Sequence, residues 1–109
     1  MSNDTLLSLA SNFFKSRGYI VEFNLQYEGL SGLLHTFDLV ISKEKEERAV
    51  SVMDWRRTVG INMIIKASKA ADDAALGHPI LIARRFSNHA KAFSNKKGIL
   101  LMTDKELIS

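Results

Sequence analysis

The chain has 109 residues, 46% hydrophobic and 25% charged, the balance of an ordinary globular protein with one modest core. It has no cysteine, which excludes disulfides, thiolate metal sites and cysteine nucleophiles. No apolar run approaches the ~20 residues that cross a bilayer, and a net charge of +3 with a pI near 9.3 permits contact with a polyanion without requiring it.

Met1 to Asp4 lacks the basic start of a secretory signal, so a cytoplasmic location with no membrane partner is expected. Without internal repeats or linker composition, residues 1–109 are expected to form a single domain. Leu6, Leu9, Ala10 and Phe13 follow helical spacing, with Asn3 or Asp4 to cap the start and Gly18 to stop the helix. Tyr19 to Gln26 alternates as a strand, with Tyr19, Val21, Phe23 and Leu25 on one side, and Gly29 and Gly32 mark a turn. A second strand runs over about Leu34 to Ile41. The charged run Lys43 to Arg48 reads as an exposed turn, and Ala49 to Asp54 returns antiparallel.

Ile61, Ile64, Ile65, Ser68, Ala71 and Ala75 repeat at helical spacing, closed by Gly77. Pro79 to Ala83 is a continuous apolar run, as expected of a strand covered on both faces. Ser87 caps a short helix that ends at Gly98, Ile99 to Met102 is a second buried strand, and Thr103 with Glu106 is a capping box for a last helix. The order of elements, α-β-β-β-α-β-α-β, predicts an α/β fold with helices on both faces of a mixed sheet.

Strand alternation places Ser51 and Met53 on one face, and Val50, Val52 and Asp54 on the other. A simple hairpin register brings Asp38 beside Ser51 and Met53. A pair of carboxylates at such a place binds Mg²⁺ through oxygen and leaves it open to phosphate and water, while a neighbouring lysine stabilises developing charge. This chain has the first carboxylate and, at the other two positions, a hydroxyl and a thioether.

The run Ser31-Gly32-Leu33-Leu34-His35-Thr36-Phe37-Asp38, the strand Val50 to Trp55 with Arg56-Arg57-Thr58-Val59-Gly60 after it, and the order of elements resemble the PD-(D/E)XK nuclease superfamily. The branch they resemble is that of the Mrr-like, type IV restriction endonuclease domains, akin to archaeal Holliday-junction resolvases. The resemblance covers the first helix to Met102 and implies a three-layer restriction-endonuclease-like sandwich. It places the family's metal-binding aspartate on Asp38, its glutamate on Ser51 and its lysine on Met53. A further acid often comes from the first helix, where Asp4 stands near the start and Ser8 and Asn12 lie further along. Members of the resolvase branch form homodimers, which implies a homodimer or another protein partner here.

Other residues could replace what is missing: Glu22, Glu28 or Asp54 as acids, Asp54 only if a bulge turns it inward, and Lys66 or Lys69 as the cation. Against these stand plainer readings: Asp38 bonded to backbone donors, Met53 filling a gap in the core, and His35, His78 and His89 without chemical roles. Arg56, Arg57, Arg84, Arg85 and Lys91 are the DNA-binding candidates, either gathered near the site or scattered over a solvated surface. Trp55 either stacks on a base or covers the core. The expectation is a catalytically inactive nuclease-fold domain that needs no cofactor and keeps DNA binding or a role in assembly, with Asp38 as its catalytic remnant. Two alternatives stand beside it: a Mg²⁺-dependent DNA endonuclease with displaced acids, in which Asp38 holds the metal, and a structural or regulatory subunit without nucleic-acid contact.

Overall fold

Five strands lie side by side in chain order in the computed structural model, which describes residues 5–108. They are β1 (Ile20–Glu28), β2 (Leu34–Lys43), β3 (Glu46–Met53), β4 (Ile80–Ala83) and β5 (Leu100–Met102). The first three are antiparallel, whereas β3, β4 and β5 run parallel. The helices are α1 (Leu6–Ser16), α2 (Ile61–Asp73), α3 (Asn88–Lys97) and α4 (Asp104–Ile108).

Two apolar layers sandwich the sheet. Under α1 and α4, Leu6, Ala10, Phe14 and Leu107 pack on Leu39, Ile41, Val50, Ile80, Ile82 and Met102. On the other face, Ile64 of α2 and Ala90 of α3 pack on Met53, Leu81 and Ala83, while Ala71 and Leu76 pack on Phe37, Val40 and Ala49. The molecule is therefore an α/β/α sandwich, in which β3 is the middle strand and its neighbour β4 is buried at every residue.

Several details differ from the sequence reading. The first cap is Thr5, whose hydroxyl accepts the Ser8 N–H at 3.1 Å; Asn3 and Asp4 lie outside the described residues. The charged run is mostly strand, with a turn of only Glu44 and Lys45, because Lys43 pairs with Glu46 and Ser42 with Glu47. Opposite charges across the first pair, and the left-handed φ of 60° at Glu44, make a tight hairpin workable. β5 is an edge strand, so Leu100 is 45% exposed rather than covered on both faces.

β1 does not keep one apolar side. Val21 packs under α1, but Leu25 and Tyr27 pack on the α2 face, and Phe23 is exposed. The switch falls at Asn24, which adopts a left-handed φ of 51° that asparagine tolerates better than most residues. Across from it the alternation of β2 slips too. Phe37 and Val40 join the α2 face while Leu39 and Ile41 lie under α1, although strict alternation would put Phe37 with Leu39. Asp38 sits at that slip.

Candidate active-site cavity

A cavity of about 300 Å³ opens between the ends of β2 and β3 and the flank of α2. Asp38, Ser51 and Met53 all line it, together with Val52, which strict alternation assigns to the other face, and Lys66 joins them from α2. The rest of the wall is largely apolar, including Phe37, Trp55 and Met63.

Asp38 is exposed, and one of its oxygens is already engaged: the Val52 N–H donates to Asp38 Oδ2 at 2.8 Å. The regular β2–β3 register reaches Leu39↔Val50, and beyond it this side chain takes a backbone donor of β3. The aspartate thus both ends the ladder and faces the cavity. Met53 is 6% exposed and belongs to the core beneath α2 and α3, while Ser51 is half-buried.

Asp54 is turned to the other side. Its Oδ2 accepts the Leu6 N–H at 3.1 Å, and its Oδ1 accepts from Arg84 Nε at 3.0 Å. Leu6 is the first residue of α1, whose opening N–H groups have no partner within the helix, so a carboxylate there also meets the positive end of the helix dipole. The Leu6 N–H, then the Arg84 guanidinium, hold the Asp54 carboxyl below the usual carboxylate range. Neither Glu22 nor Glu28 lines the cavity, and the Glu22 charge instead helps burial and Glu47 raise the Tyr27 phenol. Asp4 lies outside the described residues, and Ser8 and Asn12 do not line the cavity.

The basic candidates separate by what they touch. Arg84 bridges Asp54 and, at 3.3 Å, Asp104, which raises its already high pKa. Arg85 donates to the Arg56 carbonyl at 2.8 Å, tying together the segments that follow β4 and β3. The Arg57 guanidinium lies 4.5 Å from the Trp55 ring centre, on the cavity wall. Arg56 and Lys91 are exposed, and neither makes an ion pair among the described residues. Because β3 and β4 are parallel, Arg56, Arg57, Arg84 and Arg85 gather where both strands end, and Lys91 sits in the first turns of α3 beyond β4.

His35 is engaged with Asp73 of α2, its Nε2 lying 2.7 Å from Asp73 Oδ2. His78 and His89 are exposed, outside the cavity. The contribution of α2 to the cavity is the feature least visible in the sequence. Met63, Lys66, Ala67 and Ala70 form one stripe at three- and four-residue spacing, the only advance sign that they share a face.

A family model described as restriction endonuclease, of the Mrr catalytic type, matches residues 1–109. The chain belongs to the Mrr-type restriction endonuclease family. Solved structures agree on the fold. A protein of unknown function, AF1548, has a TM-score of 0.79 at 15% identity, over 87% of this chain and 54% of that one. VC1899 from Vibrio cholerae has a TM-score of 0.68 at 14% identity, over 94% of this chain and 29% of that one. A repair endonuclease from Pyrococcus abyssi has a TM-score of 0.60 at 15% identity, over 94% of this chain and 47% of that one. The Mrr-type chain thus spans about half or less of the length of each of these proteins. No curated protein sequence matches it.

Mrr-type nucleases typically depend on Mg²⁺, a small hard cation that takes oxygen ligands, usually one or two carboxylates. The donors in this cavity do not fit it. Among the described residues Asp38 is the one carboxylate of the lining, and one of its oxygens is bonded to Val52; Ser51 adds a neutral hydroxyl and Met53 a soft sulfur, and the Lys66 ammonium supplies no ligand. Among the described residues, no three His, Cys, Asp or Glu side chains stand together as a metal-binding group.

Proposed function

We propose that this Mrr-type domain binds DNA with the face around the Asp38 cavity and does not hydrolyse it. The observation that carries the reading is the donor set: one partly engaged carboxylate beside a hydroxyl, a thioether and an ammonium. Two-carboxylate sites activate water on a bound cation, and a lysine stabilises the charge that develops on phosphate. Loss of one such group typically costs ~10²–10⁴-fold in rate, and here the second carboxylate gives way to Ser51, while the ammonium comes from Lys66 of α2 rather than from position 53.

Binding is supported by the cations at this end of the sheet. Arg56, Arg57 and Lys91 stand near the ends of β3 and β4, and Lys66 stands in the cavity itself, where a metal would otherwise balance phosphate charge. Arg84 and Arg85 serve chiefly to hold the strand ends together, which keeps the platform rigid.

The test is an electrophoretic assay of the pure protein with plasmid and branched DNA in Mg²⁺ or Mn²⁺, beside an Asp38→Ala variant and a salt-titrated binding curve. The expected result is binding without cleavage, with log affinity falling against log salt at a slope of roughly −2 to −3 for about three phosphate contacts. Cleavage abolished by Asp38→Ala makes the domain an active endonuclease. Absence of binding at low salt makes it a structural or regulatory subunit.

A further inference from the structure

The turn between β1 and β2 is strongly apolar and also firmly held. Leu30, Leu33 and Leu34 are 88%, 64% and 61% exposed. Single surface leucines need no explanation, but three within five residues at the tip of a hairpin form a patch that water disfavours.

Asp73, the last residue of α2, clamps this turn from below. Its Oδ1 accepts the Ser31 N–H at 3.0 Å, and its Oδ2 accepts the Ser31 hydroxyl at 2.6 Å and faces His35 Nε2 at 2.7 Å. Its carbonyl accepts the Leu30 N–H at 2.9 Å. Gly29 lies so close that any Cβ there would overlap the Asp73 carboxylate. The leucines are therefore presented on a fixed platform, and a loose loop would not need this anchoring.

Beside the tip lies a second hollow lined by Leu33, His35, Lys66 and Lys69, with the Asp73 carboxylate, held by Ser31 and His35, also on its wall. Lys66 and Ala70 line the Asp38 cavity as well, so the two hollows adjoin along one stripe of α2. Neither lysine makes an ion pair among the described residues. Basic side chains thus run from Arg57 through Lys66 to Lys69 and end against exposed leucine.

We propose that the clamped tip is an apolar wedge for unstacked bases, on a nucleic acid whose phosphates follow Arg57, Lys66 and Lys69. This rests on the DNA-binding reading and adds to it the form of DNA recognised. In an intact duplex the base faces are stacked and hidden; at a bulge, gap or branch they are open to apolar side chains. Charge and continuity with the Asp38 cavity favour this occupant. A second copy docked on the tip would bring its own Lys66 and Lys69 beside these, while the Asp73 carboxylate of each hollow is already engaged by Ser31 and His35.

Fluorescence anisotropy on an intact duplex and on the same duplex with a three-nucleotide bulge tests it. The variants are Leu30→Ser/Leu33→Ser/Leu34→Ser, whose exposed positions leave the core intact, and Lys66→Ala/Lys69→Ala, with thermal melting as the folding control. The wild type is expected to favour the bulged duplex by about fivefold or more. The triple serine variant brings that ratio to about one, while the lysine variant weakens both complexes, and 2-aminopurine in the bulge reports altered stacking with wild type only. Equal affinities in the wild type, or a ratio unchanged by the serines, overturn the wedge while DNA binding stands. No binding to either duplex overturns the wedge and the DNA-binding reading together. A dimer in light scattering that the serines dissociate, with the DNA ratio unmoved, assigns the tip to self-association and overturns the wedge.

Discussion

Asp38, on β2, and Asp54, the residue that follows β3, differ in fate. Asp38 keeps a place on the cavity, and Asp54 is consumed by the start of α1 and by Arg84. Replacing Asp54 with alanine leaves an opening helix N–H and Arg84 without their shared partner. The expected cost is about 1 kcal/mol in urea unfolding, with DNA affinity unchanged. The acid side of the stability curve follows from the same contacts. Asp54 and Asp73 both have carboxyl pKa values held below the usual range, Asp73 by the Ser31 hydroxyl first and then by His35. Groups depressed in the folded state stabilise it fully above the ordinary carboxylate pKa of about 4 and lose that contribution as pH falls through the folded value. Thermal melting should therefore decline as pH falls below about 4, and the decline should be shallower in Asp54→Asn and Asp73→Asn. That Ser51 and Met53 share a face was legible because a strand has a period of two, whereas the slip of β2 at Asp38 was not. The Asp73 clamp was not, because its partners Ser31 and His35 lie 42 and 38 positions away and no local pattern joins them.

Elements were most legible where a local rule fixes an end. Ser87 caps α3 through the Ala90 N–H, and Gly98 closes it with a φ of 75°. They were least legible where tertiary packing overrode periodicity. β1 reads as one regular strand, yet its apolar residues divide between the two layers because Asn24 turns the chain. Asn24→Val should therefore cost about 1–2 kcal/mol, since a β-branched residue resists a left-handed φ, whereas Asn24→Gly should stay within about 0.5 kcal/mol of wild type. Equal stabilities of the two variants in denaturant titrations would remove the turn at Asn24 as the cause. The charged β2–β3 connection was misread for a related reason: Lys43 and Glu46 to Arg48 look like solvent residues, but their backbones are paired in the hairpin.

Across the whole molecule, the three layers follow from the order of elements: the crossover helices α2 and α3 cover one face of β4, and α1 with α4 covers the other. The exposed edge at β5 did not follow, because Leu100 is as apolar as any residue of β4 and only its position at the end of the sheet leaves it open. Leu81→Ala is expected to cost about 2–5 kcal/mol, and Leu100→Ala under about 1 kcal/mol; comparable losses in thermal unfolding would contradict this layering. The same scaffold carries the functional account, in which a nuclease fold keeps its cavity and its cations but not its metal ligands. Manganese titration by calorimetry tests that directly, with Asp38→Asn as the blank and Ser51→Glu, which restores a second carboxylate, as the positive control. The account predicts no saturable Mn²⁺ binding in the wild type that depends on Asp38, and measurable binding in Ser51→Glu; a stoichiometric wild-type site lost in Asp38→Asn would contradict it.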